Sequence, residues 1–215
     1  MRELYLKLLE ELNNSLILMG SLIENAIESS VKALELQDTS YCQGVFELEA
    51  EINQKEKDIE NLCLKLILQH QPVAADFHLI SGALKMITDM ERMGDGATDI
   101  AKIAMKLAEK PLIKDLVIIP KMAEETIKMV YLSINAFVNK DLKTITEVVE
   151  LDDVVDNLFE EVKGELAGII SNDSSKAADA IDLLMIAKYF EKISDHAVNV
   201  SGWVGFAITG KHEHY

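Results

Sequence analysis

The sequence is poor in residues that interrupt or cross-link a chain. Of 215 residues only three are proline and ten glycine, and aromatics make up 6%. So few breakers leave little room for the frequent turns of an all-β fold. The two cysteines, Cys42 and Cys63, show no Cys-x-x-Cys spacing. That excludes a disulfide framework and a cysteine metal site, and it fits a reducing, cytoplasmic setting. Positive charge is also scarce: 21 Lys and Arg stand against 37 Asp and Glu, a net charge of −16. Nucleic-acid binding through phosphate neutralisation is excluded on that balance. So is docking on anionic lipid through a polybasic patch. No basic segment followed by an apolar run follows Met1, so no signal peptide is read. The longest uncharged stretch near the C-terminus, residues 197–210, is too short to span a bilayer. A His-x-x-x-His zinc pair, a glycine-rich phosphate loop and a Gly-x-Ser-x-Gly elbow are all absent.

What the chain does have is helical periodicity. Apolar residues make up 49%, enough for a core. In the first segment they recur as Leu8, Leu12, Leu16, Met19, Ile23, Ala26/Ile27 and Ala33/Leu34. A second stripe runs Ile80, Ala83/Leu84, Ile87, Met90, Gly94, Ala97, Ala101 and Ala104. Spacings of three and four are those of an amphipathic helix. We read six long helices, at 3–36, 39–69, 74–109, 114–138, 141–170 and 174–209. Asp38, Asp141 and Asp173 or Ser174 are the expected N-caps, and Gly210 the expected C-terminal stop.

The chain also repeats itself. Residues 19–60 align with 122–163 at an offset of 103, placing Met19 on Met122, Asp38 on Asp141, Glu49 on Asp152 and Asn53 on Asp156. The third helix aligns with the sixth at an offset of 100, placing Glu91, Asp95 and Asp99 on Glu191, Asp195 and Asn199. The offset falls by three at the connection around residues 70–76. The expected architecture is therefore all-α: two tandem, pseudo-symmetric three-helix bundles over 1–110 and 114–210, with a frayed tail at 211–215.

One constellation carries chemistry. Residues four apart share a helix face. Glu91 and Asp95 form such a pair with Asp99 a turn further, and Glu191 and Asp195 repeat it before Asn199. The second helix of each half matches with Glu49 and Asn53, and with Asp152 and Asp156. Stacked like charges repel, and a bridging cation removes that cost. An all-oxygen set prefers hard cations: Mg, Ca, Mn or carboxylate-held iron, with Zn less favoured. Acidic pairs also occur on merely solvated faces, and repetition in both halves is what separates this pattern from that reading. The ferritin-type Glu-x-x-His pattern fails, since Gly94 and Ser194 stand where His is needed. His196 points about 100° from Asp195 and reads as a surface or partly buried residue, and Trp203 reads as core or a subunit contact.

These residues resemble a known family. Gln71-Pro72-Val73-Ala74-Ala75-Asp76, Ala83-Leu84-Lys85-Met86 and Asp89-Met90-Glu91-Arg92-Met93-Gly94-Asp95 are similar to the signature of the PhoU family. So is Tyr189-Phe190-Glu191-Lys192-Ile193-Ser194-Asp195 in the second half. Asn53 stands in place of a carboxylate, His78 in place of Arg, and Lys192 in place of Arg. The resemblance implies multinuclear metal clusters on Glu91, Asp95, Asp99, Asp152, Asp156, Glu191 and Asp195, joined by Glu49, Asn53 and Asn199. The expected cation is iron, with Mg, Mn, Ca or Zn as alternatives. The resemblance further implies a non-enzymatic, cytoplasmic, dimeric negative regulator of the phosphate-starvation response. Its implied partners are the ATPase subunit of the phosphate-specific ABC transporter and a phosphate-sensing histidine kinase, and it would meet the membrane only through them. The rival readings are a carboxylate metalloenzyme or metal-storage bundle, and a metal-free structural adaptor.

Overall fold

A computed structural model describes residues 2–70 and 72–211. The expected tail beyond residue 211 lies outside the described residues. Six long helices follow in order: α1 (Arg2–Leu36), α2 (Ser40–His70), α3 (Ala74–Leu107), α4 (Ile118–Asn139), α5 (Leu142–Asn172) and α6 (Ala177–Thr209). No strand occurs among the described residues, and no helix among them is long and apolar enough to cross a membrane. Helices α1, α2 and α3 pack mutually, as do α4, α5 and α6, and the halves meet through α3 against α6 and α1 against α4.

The repeat is visible in the turns themselves. Gln37 ends α1 with φ 52° and Lys140 ends α4 with φ 54°, both left-handed. The next amide then closes the turn: Asp38 N–H donates to Ala33 O at 3.2 Å, and Asp141 N–H to Ala136 O at 2.9 Å. This is the αL ending that satisfies the last carbonyls of a helix. The same aspartates start the following helices. Asp38 Oδ1 accepts from Ser40 N–H and Asp141 Oδ1 from Lys143 N–H, each at 2.9 Å. Asp173 does likewise for Ser175 N–H at 3.1 Å, and Gly210 closes α6 in the left-handed region at φ 72°.

Two boundaries differ from the sequence reading by more than two residues. Helix α4 begins at Ile118, not at 114. Pro120 sits in its first turn, where no intrahelical N–H is needed, while Leu112, Ile113 and Leu116 pack on the core from an irregular connection. Helix α6 begins at Ala177, because Ser174–Lys176 form one 3₁₀ turn capped by Asp173.

Every apolar position of the α1 stripe is buried, and the α3 stripe is buried apart from half-covered Leu84. The seam between α3 and α6 is close. A Cβ on Gly82 would lie 2.8 Å from Ala207 Cβ and 3.2 Å from the Trp203 carbonyl oxygen. Backbone cannot yield as a flexible side chain can. Gly82→Ala should therefore destabilise by about 1 kcal/mol, overpacking outweighing the helix-propensity gain, and a chemical denaturation midpoint reads it.

Candidate metal centres

The two acidic seams are built by close helix approach. Gly94 lies between Glu91 and Asp95 on α3 and leaves room for Ile52 of α2, whose Cδ1 would be 3.0 Å from a Cβ there. Ile52 is buried between half-exposed Glu49 and Asn53. The α2 pair is thereby set beside the α3 pair. In the second half Ser194 and Val155 take the places of Gly94 and Ile52, exchanging a larger for a smaller partner. Ser194 is buried, and its Oγ donates to Glu191 O at 2.7 Å.

Electrostatics define two clusters. Burial first, then Asp95, Glu56 and Glu49, push the Glu91 carboxyl above its usual range, with Arg92 opposing. Burial likewise raises Glu56, with Glu60 and Asp95 adding and Lys57 and Arg92 opposing. Across the repeat, Asp152 is pushed up to about 6 by burial, with Asp156, Asp195 and Asp153 adding to it and Ser194 opposing. Asp156 and Asp195 are raised by burial and then by Glu191. Glu49, Asn53, Glu91 and Asp95 thus share one seam, and Asp152, Asp156, Glu191 and Asp195 the other.

Cations of the chain itself cover part of each seam. Arg92 Nη1 lies 3.0 Å from Asp95 Oδ2, and its Nε 3.5 Å from Glu91 Oε2. Lys188 Nζ lies 2.5 Å from Glu191 Oε2. Among the described residues no three Asp, Glu, His or Cys side chains already converge to hold a metal ion. Yet Asn53 Oδ1 and Asp152 Oδ1 are buried without a hydrogen-bond donor, one in each seam. Leaving a buried acceptor unmet costs about 1–3 kcal/mol. Such an oxygen among like charges is the kind of donor a hard cation satisfies, so the ligand chemistry fits one.

Asp99 and Asn199 also reach across to the other half. Asp99 pairs with Lys102 Nζ at 2.9 Å and lies beside the Tyr189 hydroxyl of α6, whose pKa rises through burial and then through that carboxylate. Asn199 Nδ2 donates to Asp89 Oδ1 at 3.3 Å. Both sit on the seam between the halves, and the repeat places Asp89 on Tyr189, so the two contacts are counterparts. Asp89 also accepts from Trp203 Nε1–H at 3.2 Å and lies 2.9 Å from His196 Nδ1. In the sequence Asp89 stands only as part of the signature, with no role assigned, although His196, Asn199 and Trp203 follow one another at helical spacing on α6.

The fold and its seams define a class: duplicated all-helical proteins with a carboxylate set in each half. The PhoU domain family model matches residues 16–104 and again 119–204. A phosphate-specific transport system accessory protein PhoU homolog of Clostridium acetobutylicum is 36% identical over 214 residues, covering 98% of this chain and 96% of that protein. The homolog from Aquifex aeolicus is 36% identical, covering 86% of this chain and 84% of its own. The crystal structure of PhoU from Pseudomonas aeruginosa superposes with a TM-score of 0.90 at 28% identity, covering 96% of this chain and all of that one. This chain belongs to the PhoU family. Its relatives are named as accessory and regulatory proteins, not as enzymes.

Proposed function

We propose that this chain is a cytoplasmic negative regulator of phosphate uptake that works by binding, not turnover. It couples the ATPase subunit of the phosphate-specific ABC transporter to a phosphate-sensing histidine kinase, so that starvation genes stay silent when phosphate is plentiful. The observation that carries this reading is the family match to both halves. A homodimer suits a coupler of two machines. Glu49, Asn53, Glu91 and Asp95 would hold metal on one seam, and Asp152, Asp156, Glu191 and Asp195 on the other. Iron is the first choice, and Mg, Mn, Ca or Zn the alternatives. A bound cation would supply positive charge to seams that burial and mutual repulsion leave short of it. Asn53 and Asp152 would then gain a partner for their orphan oxygens.

Deleting the gene should switch a phosphate-starvation reporter on in phosphate-replete cells, and this chain should silence it again. An unchanged reporter would overturn the regulator reading. Separately, dialysed wild-type protein should retain metal that elemental analysis finds reduced in both Asp95→Asn and Asp195→Asn. Equal metal in all three would remove the seams from the account.

A further inference from the structure

We propose that the end of the molecule where α1 begins and α2 turns into α3 contacts the membrane directly, setting exposed leucine, valine and phenylalanine side chains into the headgroup layer of an anionic bilayer. This contact goes beyond the proposed function and does not depend on metal in the acidic seams.

Four helix ends meet at this tip. The Tyr5 ring of α1 lies 5.3 Å from the His70 ring of α2. Burial, and then the Asp76 carboxylate of α3, raise the pKa of the Tyr5 hydroxyl. On the other side the His78 ring of α3 lies 5.4 Å from the Phe206 ring of α6. Gly210, which closes α6, also abuts His78, whose Cε1 would lie 2.6 Å from a Cβ there. Six apolar side chains are exposed within about two helical turns of this end: Leu4 and Leu6 of α1, Leu64 and Leu68 of α2, Val73 at the start of α3, and Phe77 of α3. Leu68 is 79% exposed and Val73 71%.

The repeat shows that folding does not call for them. At the offset of 103, Leu64 and Leu68 correspond to Ala167 and Ser171, and at the offset of 100 Phe77 corresponds to Ala177. The second half forms the same helices without these apolar side chains. Charge differs in the same sense. Lys57 lies on the α2 face that carries Leu64 and Leu68, and Lys65 lies beside it. Their counterparts are Glu160 and Gly168.

Charge also chooses the occupant. Segments 2–9, 61–78 and 203–211, which build the tip, contain four Lys and Arg against two acidic residues, in a chain of net charge −16. An anionic bilayer attracts this end and repels the acidic remainder, which fixes an end-on approach. Two copies meeting tip to tip would oppose like charge, which disfavours self-association there. Leucine and phenylalanine edged by lysine suit the membrane interface, where apolar side chains sit about 5–10 Å deep. The overall charge excludes docking through a polybasic patch. Here apolar insertion supplies the affinity, and a few lysines supply the orientation.

The full-length protein should co-sediment with phosphatidylglycerol–phosphatidylcholine vesicles, and far less with phosphatidylcholine alone. Leu64→Ala with Leu68→Ser installs the residues of the second half. This pair should weaken vesicle binding by at least about tenfold, with an unchanged melting profile. Lys65→Glu should weaken binding to the anionic vesicles by about tenfold. Ile181, exposed near the start of α6 and so at the opposite end, serves as the control, and Ile181→Ser should bind like wild type. A wild-type chain that stays in the supernatant with both vesicles would overturn the proposal, as would equal losses in the leucine and Ile181 variants. Should the leucine variant instead lower the mass read by light scattering while vesicle binding is unchanged, the tip would be a contact between copies and the lipid assignment would fall.

Discussion

Asp89→Ala should lower stability by about 2–3 kcal/mol, a fall in Tm of roughly 5–10 °C for a chain of this size. Asp89 lies on α3, and its partners His196, Asn199 and Trp203 all lie on α6. One carboxylate thus receives three contacts across the join between the halves. Hydrogen bonds to a charged acceptor are worth about 1.5–3 kcal/mol each, and water at a partly exposed site recovers some of that. The Asp89 side chain keeps 17% of its exposure and His196 29%, so recovery is partial. Trp203 is the only tryptophan, which makes its fluorescence a local reporter. Removal of its carboxylate acceptor should shift the native-state emission before any unfolding. A variant that melts like wild type with unshifted emission would show that the Asp89 contacts do not hold α3 against α6. Metal retention should survive, because Asp89 lies on neither acidic seam.

The fold was legible because helix periodicity and repetition are local signals. Leu8 to Leu34, and Ile80 to Ala104, declare their buried face by spacing alone. The alignment of Asp38 with Asp141 anticipates one turn built twice, down to the left-handed residue before each aspartate. The start of α4 was not legible. Leu112, Ile113, Leu116 and Val117 carry a helix-like apolar spacing, but they lie on an irregular strap whose Lys114 pairs with Glu165 of α5. Only tertiary contact distinguishes such a strap from a first helical turn. The acidic pairs were legible as i,i+4 doublets, and the structure sets Glu49 and Asn53 beside Glu91 and Asp95 as their spacing suggested. Asp99 and Asn199 continue the same spacing, yet the rotation of about 40° per four residues carries them round to the α3–α6 seam. The contacts of Asp89 were not legible because its partners lie on another helix.

Stripped of metal by a chelator, the protein should melt at a higher temperature at pH 5 than at pH 7.5. The sign follows from Asp152, raised from 3.8 to about 6 in the folded chain. Between those values the folded state binds more protons than the unfolded state, so stability grows as pH falls through about 6. The full shift corresponds to about 3 kcal/mol at 1.36 kcal/mol per unit. By pH 5, about one pH unit below the folded value, only about 1.4 kcal/mol of this is realised, and solvent screening of the half-buried Asp152 reduces it to about 1 kcal/mol, or roughly 2–4 °C. Glu56, Glu91, Asp156 and Asp195 shift in the same direction and add to it. Acidification cannot continue to help. The helix-capping carboxylates Asp38, Asp141 and Asp173 are held below their usual range by the backbone and hydroxyl hydrogens they accept. Their contribution is present above about pH 4 and is lost below it. The optimum of the metal-free protein therefore falls near pH 5. Metal should reverse the slope, since a cation binds the ionised carboxylates and competes with protons. At a free concentration one hundred times Kd it adds about 2.7 kcal/mol, and that gain fades as pH falls. Thermal scans with chelator and with Mn²⁺, at both pH values, give four melting temperatures: pH 5 is the higher of the chelated pair and pH 7.5 the higher of the Mn²⁺ pair, the two conditions converging at pH 5. Asp152→Asn should flatten the chelated slope, because amide replaces the group that titrates. Parallel slopes with and without metal would mean that the carboxylates of these seams are not its ligands.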